Sequence, residues 1–548
     1  MGLGQTLRDI KRLNQIVDVL FKLELRHIID RLKLTSYLSL GKRFKKQQQK
    51  NKEDMPVRLR MAMEELEGTF IKLGQLLSLR PDLIPQEYCD EFSKLQDDVK
   101  PFPYEDVKQI VEEELKMPIS RAFKRFEKQP LAAASVGQVH FAILKTGEKV
   151  AVKVQRPKME EIFKTDIDIL YHIAGLIEKY MPEIKEYNPK GIVEEFERYT
   201  RKELDYMTEA RNIDIFYNNF KDNKKIKIPK VYWDYTTKKV LTMEYIEGKK
   251  IGEETISKEK KRKVVKIITD SFIKQVLDYG FFHADPHPGN IFLMKNGKVA
   301  LLDFGIVGRM EPRTRRKVEN MLIGLINKDT NLLATSIIEV GIIEKGTNIE
   351  QLENDLAEHL GEYHNLSLKQ TSISEFFYDA FTLARKYKMK FPTNFVLLIK
   401  AMATTEGFDK KYYPEFNFVK ACEPAVRKAM KKRTSPVYLI ENAKRTMWDF
   451  KELVRKMPAR AIRIMDLIER EERRKIELEE LEIKRFKNQQ DKKDYTIQLA
   501  ILIGGVIIAS SIMAVSKMFV AAITGFTVSV MLGALLIMMM IRKKEVEK

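Results

Sequence analysis

Two carboxylates and one amide lie in the middle of this 548-residue chain at a spacing that suits phosphate chemistry. Asp285 and Asn290 are five residues apart in a proline-rich turn, and Asp303 follows a short predicted hairpin. Carboxylate and amide oxygens are hard ligands of the kind that Mg²⁺ prefers, and Mg²⁺ accompanies nucleotide phosphates. We therefore expect Asn290 and Asp303 to bind Mg²⁺, and Asp285 to orient or deprotonate the group that attacks a phosphoryl group.

The strings around these residues are typical of a kinase-like phosphotransferase. His283–Phe292 reads HADPHPGNIF, the layout of a catalytic loop, and Leu301–Gly305 reads LLDFG, the layout of a metal-binding loop. Two other interpretations stay open. The Asp-Pro and Pro-Gly pairs could form ordinary turns. Alternatively, His283, Asp285 and His287 could form a metal site, although the prolines disfavour a regular element that presents both imidazoles.

Two upstream elements would complete a phosphate site. Val150–Val154 reads VAVKV and predicts a strand whose lysine, Lys153, reaches the nucleotide phosphates, unless it is an edge strand with the lysine in solvent. One hairpin earlier, an alanine-rich loop stands where kinases have a glycine-rich loop. We expect its residues to bind the nucleotide: Leu131, Ala132, Ala133, Ala134, Ser135, Val136, Gly137, Gln138 and Val139. Alanine adopts positive φ only at a cost, so this loop should be stiff, which argues against ordinary protein-kinase activity.

A third element should hold the adenine. Val240–Gly248 reads VLTMEYIEG and predicts a strand that leads into a hinge between two lobes. In kinase-like folds this hinge binds adenine through its backbone, and Glu244 and Ile246 are the candidates here.

Together with the catalytic loop, three motifs resemble the UbiB family of atypical kinases, the aarF and coenzyme-Q-associated group. They are KLGQ at Lys72–Gln75, the alanine-rich loop, and ELDYMTEARN at Glu203–Asn212. The resemblance runs from about Arg58 to about Pro414. It implies a bilobal, protein-kinase-like α+β fold with an N-terminal helical extension.

The resemblance also implies roles for individual residues. Lys72 and Gln75, which share a helix face, would lie on helices folded across the place where a protein substrate would bind. Glu203 and Asp205 would face them, and Glu209, in preference to Glu203, would pair with Lys153. Alternatively, the acids of this region could form a solvated face: Glu194, Glu195, Glu197, Glu203 and Glu209.

The function that the resemblance implies is an atypical kinase or ATPase that uses ATP or ADP and Mg²⁺. It would support the synthesis or handling of isoprenoid quinones or other prenyl lipids. Its partners would be a prenylated quinone or a precursor lipid, and other enzymes of lipid biosynthesis. Two alternatives remain: a kinase that acts on a protein or a small molecule, and a nucleotide-gated lipid-binding pseudoenzyme.

Composition favours a lipid surface over nucleic acid as a partner. The chain has 98 Lys and Arg against 78 Asp and Glu, a net charge of +20, and no recognisable nucleic-acid-binding motif. We therefore expect anionic membrane lipids, and no nucleic acid, to be bound. The two cysteines, Cys89 and Cys422, form no metal or disulfide pattern, as expected in a reducing cytoplasm.

The C-terminal sequence predicts a membrane hairpin. Thr496–Ser516 and Phe519–Ile541 lack charged residues, and each run has about the 20 residues that a membrane span needs. Basic residues flank both runs, which predicts two transmembrane helices with both ends on the cytoplasmic face of the cell membrane. A pair of soluble core helices is the alternative. Small residues at Gly525, Ser529 and Gly533 could let the two hairpin helices pack closely, or join two copies into a homodimer through this hairpin. Alternatively, they could face lipid by chance.

The expected organisation follows from these segments. The chain should comprise an N-terminal amphipathic helix and linker (1–54), a helical extension with the Lys-x-Gly-Gln motif (55–117), a small lobe with a helical insert (118–247), a large lobe (248–430), a charged helical connector (431–494), the transmembrane hairpin (495–541) and a basic tail (542–548). The N-terminal helix could lie on the membrane or pack on the kinase-like core.

Overall fold

The computed structural model describes residues 3–37, 54–78, 80–95, 100–185, 187–253, 255–343, 346–362, 372–433, 499–511 and 519–546. The chain divides into two compact units, Met1–Lys432 and Arg433–Lys548. The first unit contains every candidate site residue. Most of the expected linker, at 38–53, and most of the expected charged connector, at 434–494, lie outside the described residues.

The strands of the first unit form three sheets. In chain order they are β1 (Phe123–Phe126), β2 (Ala132–Ala133), β3 (Gly137–Leu144), β4 (Lys149–Gln155), β5 (Ile226–Lys227), β6 (Val240–Glu244), β7 (Gly248–Lys250), β8 (Phe281–His283), β9 (Ile291–Met294), β10 (Val299–Leu301) and β11 (Val307–Arg309). The small-lobe sheet has the order β1-β3-β4-β6, with β2 paired to β3. The large lobe holds β5-β10-β9-β7 and the pair β8-β11.

Helices surround these sheets. They are α1 (Leu3–Lys22), α2 (Arg26–Arg31), α3 (Met55–Leu66), α4 (Thr69–Leu77), α5 (Gln86–Phe92), α6 (Tyr104–Leu115), α7 (Ile119–Ala122), α8 (Met159–Tyr180), α9 (Pro182–Lys185), α10 (Pro189–Glu203), α11 (Tyr206–Phe220), α12 (Lys258–Lys274), α13 (Pro312–Asn327), α14 (Thr330–Val340), α15 (Ile349–Glu362), α16 (Ile373–Lys386), α17 (Thr393–Tyr412), α18 (Phe418–Arg433) and, in the second unit, α19 (Phe519–Val546). Short 3₁₀ turns cover Thr35–Tyr37, Trp233–Tyr235 and Pro288–Asn290, and a π-turn covers Gln275–Tyr279.

The two faces of β4 explain how the small lobe presents its lysine. Side chains alternate between the faces of a strand. Val150, Val152 and Val154 are fully buried and pack in one cluster with α6. Lys153 therefore lies on the opposite face, together with Ala151. Because β4 pairs with both β3 and β6, it is an interior strand, and the edge-strand interpretation of Lys153 is wrong.

The N-terminal helix packs on the core. Leu13, Ile16 and Val17 of α1 are buried in the same cluster as Phe163 and Ile167 of α8. Arg12 Nε adds a hydrogen-bonded ion pair, 2.8 Å from Asp166 Oδ1. Of the two placements left open by the sequence, the structure therefore shows packing on the kinase-like core.

The structure does not support the transmembrane hairpin predicted at 495–541. Among the residues that the structure describes, no helix is both long and apolar enough to cross a membrane. An uncharged run gives composition only, whereas a span needs one helix that covers about 30 Å of hydrocarbon. The described helical part of the first run, 499–511, measures roughly 20 Å at 1.5 Å per residue. The bilobal α+β fold fits the kinase-like expectation. The predicted transmembrane hairpin, and the location at the cell membrane that was inferred from its two spans, are wrong.

Candidate functional site

The predicted catalytic loop is fixed by buried contacts at its start. His283 ends β8, is buried, and receives on Nδ1 a hydrogen bond from the backbone N–H of Asp285 at 3.1 Å. Its Nε2 therefore carries the proton and donates to the Leu302 carbonyl at 3.2 Å. Asn290 Nδ2 donates to the Asp285 carbonyl at 3.4 Å, which leaves the Asn290 Oδ1 lone pairs for another partner.

A two-stranded ladder brings the predicted metal ligands to the same place. Strands β9 and β10 are antiparallel, with Ile291 opposite Leu301. The Leu302 N–H donates to the Asn290 carbonyl at 2.9 Å, so the pairing continues past the strand ends. Because the end of one antiparallel strand lies beside the start of the other, Asp303, which directly follows Leu302, begins one residue beyond the backbone pairing with Asn290.

Asp303 has a conformation that is unusual for an L-residue. Its φ is +57°, in the left-handed region, and its Oδ1 accepts a hydrogen bond from the Gly305 N–H at 3.1 Å. Desolvation by the surrounding residues acts to raise the pKa of this carboxyl. Nevertheless, the positive charge of Lys153 and the Gly305 N–H hold its pKa below the usual value. Asp303 is therefore an anionic oxygen ligand that is open to the cleft.

The segment after Asp303 is anchored to α11. Phe304 is fully buried and packs on Phe216 and His283, with ring centroids 4.8 Å and 5.2 Å apart. Asn212 Nδ2 donates to the Phe304 carbonyl at 3.0 Å. The Asp-Phe-Gly turn thus connects the catalytic loop to the helix that also carries Glu209.

The expected ion pair between Lys153 and Glu209 is present. Lys153 Nζ lies 2.8 Å from Glu209 Oε2, and the ammonium sits 5.2 Å from the centre of the Tyr206 ring. Desolvation opposes the charge on Lys153, but the carboxylates of Glu209 and Asp303 outweigh it and raise the pKa of this lysine. Desolvation raises the pKa of Glu209, which Lys153 counteracts. Glu203, the other candidate partner, pairs elsewhere.

The alanine-rich loop is partly strand. Ala132 and Ala133 form β2 against Val139 and Gln138, and the Ala134 N–H donates to the Gly137 carbonyl at 2.8 Å. Leu131 is exposed, Val136 is buried, and Ser135 is buried with an Oγ that has no hydrogen-bond partner among the described residues.

Gln138 and Gly137 of this loop are held by contacts with the core. Gln138 exchanges two hydrogen bonds with the Phe102 backbone, accepting at 2.9 Å and donating at 3.2 Å, so its side chain faces the core. A Cβ at Gly137 would lie 2.4 Å from both Tyr206 Oη and the Val154 carbonyl oxygen, so close packing requires glycine there. Their assignment to nucleotide binding stays a prediction.

The predicted hinge connects β6 to β7. Glu244 ends β6, and its carboxylate pairs with Lys227 at 2.7 Å and accepts the Lys230 N–H at 3.1 Å. Ile246 is buried just beyond it, and the Tyr245 N–H donates a hydrogen bond to the Lys149 carbonyl. The Glu244 side chain therefore points to the lobe surface. Its N–H donates to the Lys230 carbonyl at 2.8 Å, so only its backbone carbonyl remains a candidate for adenine.

The family-motif residues separate into two sets of contacts. Lys72 on α4 pairs with Glu203 at the end of α10, with Nζ 2.8 Å from Oε1. Gln75 instead donates to the Leu95 carbonyl at 3.2 Å. Asp205 caps α11 by accepting the Met207 N–H at 3.1 Å. Of the four residues expected to face one another, Lys72 and Glu203 do pair. Gln75 and Asp205 have other partners.

The alternative metal site is not supported. Both ring nitrogens of His283 are engaged with backbone groups, and His287 Nδ1 accepts the Gly289 N–H at 3.2 Å. Within the described ranges, no group of three or more His, Cys, Asp or Glu side chains could hold a metal ion by itself. An ion bound by Asn290 and Asp303 would therefore need oxygens from the nucleotide as well.

Sequence reasoning missed two residues of the site. Asn212 was part of a quoted motif, but its bond to Phe304 joins positions that are far apart in the chain. Lys400 on α17 lies with Nζ 3.6 Å from Asp285 Oδ1. The available signal was its position, since it is a single lysine within the apolar string FVLLIKAM.

The chain matches models of two protein domains. Residues 94–337 match the ABC1 atypical kinase-like domain, and residues 356–417 match the UbiB helical domain. The first contains Lys153, Glu209, Asp285, Asn290 and Asp303, and the second contains Lys400.

Individual relatives agree with these matches. A protein of Marinobacter nauticus named probable protein kinase UbiB is 35% identical over 409 residues, which are 73% of this chain and 75% of that protein. An uncharacterized protein of Synechocystis sp. is 37% identical over 67% of this chain and 63% of its own length. The chloroplastic protein ACTIVITY OF BC1 COMPLEX KINASE 7 of Arabidopsis thaliana is 34% identical over 75% of this chain and 60% of its own length. The chain thus spans less than two thirds of the last two relatives.

Proposed function

Because this chain belongs to the UbiB family of atypical kinase-like proteins, which carry the ABC1 domain, we propose that it binds ATP with Mg²⁺ and hydrolyses it or transfers its terminal phosphoryl group. The observation that carries the proposal is the Lys153–Glu209 ion pair, since the charge of this lysine also acts on Asp303. A cation from the small lobe and an anion from the large lobe thus face the same cleft, as a nucleotide–metal complex requires.

The donor set suits Mg²⁺. Asp303 would provide a carboxylate oxygen and Asn290 its Oδ1, whose lone pairs are left open because Nδ2 makes the contact to Asp285. The ion would supply charge neutralisation on the phosphates when bound. Lys153 would hold the nucleotide phosphates, and Glu209 would keep that lysine in place and charged.

Asp285 would act at the attacking group. The oxygen of water, or of an acceptor hydroxyl, forms a bond to the terminal phosphorus while the bond to the ADP oxygen breaks. The Asp285 carboxylate accepts the proton released by the attacking oxygen, and the leaving ADP oxygen keeps the electron pair. The hydrogen bonds of Asp285 to His283 and Asn290 fix the backbone from which the carboxylate acts.

Two features support a small or lipid acceptor over a protein acceptor. The ion pair between Lys72 and Glu203 fastens helix α4 to α10 beside the charges of the site, because Lys72 also contributes to the charge balance of Asp303. Helix α13 begins at Pro312, soon after Gly305, which leaves a short stretch in the place of a peptide-binding segment. The proposed acceptor or effector is a prenylated quinone precursor, on the analogy of the relatives named UbiB, presented with anionic lipids that match the +20 charge.

The test is ATP turnover by the full chain with Mg²⁺, with and without anionic vesicles that carry a prenylated phenol. The Asp303→Asn variant removes the carboxylate ligand, and Asp234→Asn, on the surface, is the matched control. Turnover that is lost only in Asp303→Asn and rises with the prenylated phenol supports the proposal. Phosphate transfer to a protein instead of to water or lipid would indicate a protein kinase. Nucleotide binding without turnover in either condition would indicate a pseudoenzyme.

A further inference from the structure

Lys400 occupies an unusual position for a charged residue. It lies on α17 within the run Phe395–Met402, in which every other residue is buried. Its side chain is 26% exposed, and its ammonium group lies near the Asp285 carboxylate. A lysine in such a run loses part of its hydration, and its ammonium gains nothing from apolar neighbours. Packing alone therefore does not explain why a lysine stands at this position.

The contact between Lys400 and Asp285 is loose. The Nζ to Oδ1 distance is 3.6 Å, longer than a hydrogen bond, and both side chains are partly exposed. The two opposite charges face each other without a hydrogen bond between them, so the N–H donors of Lys400 remain available to a third group that approaches beside the pair.

Two other lysines near the cleft are held in ion pairs in the described structure. Lys153 is held by Glu209 and Lys72 by Glu203, each at 2.8 Å. The loop from Asp285 to Asn290 has no lysine or arginine, and its His287 accepts a backbone N–H. Lys400 is therefore the cation that the described structure places beside the group expected to activate the attacking oxygen.

We propose that Lys400 is a catalytic residue that contacts the terminal phosphoryl group during its transfer. The reaction moves negative charge onto the transferred oxygens next to Asp285, and a positioned ammonium stabilises that charge. The helical domain, represented by α17, would in this way complete a site otherwise built by the kinase-like domain. This inference rests on the ATP chemistry of the proposed function.

The position of α17 is fixed independently of this contact. Asn394 Oδ1, at the start of the helix, accepts the Arg309 N–H of β11 at 3.4 Å, and β11 pairs with β8, which leads into the catalytic loop. Asp409, near the other end, accepts hydrogen bonds from Thr269 of α12 at 3.0 and 3.2 Å. Replacing Lys400 should therefore leave the helix in place.

The kinetic test compares Lys400→Met, Lys400→Arg and Lys411→Met with the wild-type full chain. Lys411 is exposed on the same helix and serves as the matched control. Lys400→Met should lower kcat by about 100-fold while the Kd for Mg·ATP changes by less than about threefold. Lys400→Arg should recover a large part of kcat, because it restores the charge. Unchanged kcat in Lys400→Met overturns the inference.

A second measurement needs no turnover and no variant. Lysines of the wild-type chain are acetylated with a succinimidyl ester in the presence of Mg·AMP-PNP or Mg·ADP, and the modified peptides are quantified by mass spectrometry. Loss of Lys400 labelling with Mg·AMP-PNP but not with Mg·ADP, with Lys411 labelled equally in both, supports contact with the terminal phosphate. Equal Lys400 labelling in both overturns it. A wild-type chain without turnover would contradict the proposed function, and this labelling result would still decide the role of Lys400.

Discussion

Lys72 Nζ lies 2.8 Å from Glu203 Oε1, and both side chains are largely buried. This contact joins helix α4 of the N-terminal extension to the last turn of α10, just before the helix that carries Glu209. The other carboxylate oxygen of Glu203 is buried and lacks a hydrogen-bond partner among the described residues. The Lys72 charge therefore compensates an acid that would otherwise be costly to bury.

Breaking this pair should destabilise the extension. We expect Lys72→Met to lower the free energy of unfolding by about 2 kcal/mol, because it leaves the Glu203 carboxylate buried without its cation. The double variant Lys72→Met/Glu203→Gln should recover part of that loss, since the amide carries no charge. Urea unfolding of the four proteins of the cycle measures the coupling. Additive effects of the two substitutions would show that the pair contributes nothing.

Neutralising Glu209 should impair the use of ATP more than the stability of the fold. Glu209→Gln keeps the shape of the side chain but removes the charge that holds Lys153, so kcat/KM for Mg·ATP should fall by about 100-fold. Glu194→Gln, an exposed acid on α10, is the control and should behave like the wild type. Steady-state kinetics at several ATP concentrations decide this. Equal kcat/KM in both variants would remove Glu209 from the proposed mechanism.

The bond from Asn212 to the Phe304 carbonyl should control the position of Asp303. Asn212→Ala leaves that carbonyl without its donor and loosens the Asp-Phe-Gly turn, so kcat should fall by roughly 10- to 100-fold. Asn218→Ala on the same helix removes only a local contact within the exposed face and should have little effect. Turnover and melting temperature are measured for both. A fall in melting temperature without a fall in kcat would mean that Asn212 is only structural.

Asp409 should make the stability of the large lobe depend on pH. Asp409 is 1% exposed, and burial, aided by the charge of Glu406, raises the pKa of its carboxyl to about 8 although Thr269 hydrogen-bonds to it. An unfolded Asp titrates near ~3.9, so from about pH 4 to about pH 8 the folded chain holds a proton that the unfolded chain has lost. Its stabilising contribution is present below pH 4 and decreases as pH rises to 8, by at most about 1.4 kcal/mol per pH unit.

Asp409→Asn should remove this dependence, because the amide stays neutral and can still accept from Thr269. Chemical unfolding between pH 5 and 8 compares the slopes of the wild type, Asp409→Asn and the surface variant Asp234→Asn. We expect the slope to flatten in Asp409→Asn alone. Parallel slopes in all three proteins would contradict a protonated Asp409.

The candidate residues of the site could be predicted from local sequence. Asp285, Asn290 and Asp303 were found by spacing, because phosphate and magnesium restrict the residue types and the β9–β10 hairpin fixes their separation along the chain. The apolar run around Lys153 predicted its strand, because the alternation of side chains along a strand depends only on neighbours in sequence. These assignments need no knowledge of distant parts of the chain.

The tertiary structure decided which distant groups meet. The sequence left Glu203 and Glu209 as competing partners for Lys153, and the break between α10 and α11 separates them into different ion pairs. Gln138 lies in the predicted nucleotide loop, yet its side chain pairs with the backbone of Phe102. In the same way, the uncharged C-terminal runs predicted membrane spans that the described helices do not bear out.

What the sequence by itself determined is membership of the kinase-like family and the local elements that hold the candidate site residues. Only the fold placed Lys400 beside Asp285 and Asn212 beside Phe304. The physical reason is that periodicity and turn chemistry act over a few residues, whereas contacts between distant residues follow from how whole helices pack against one another.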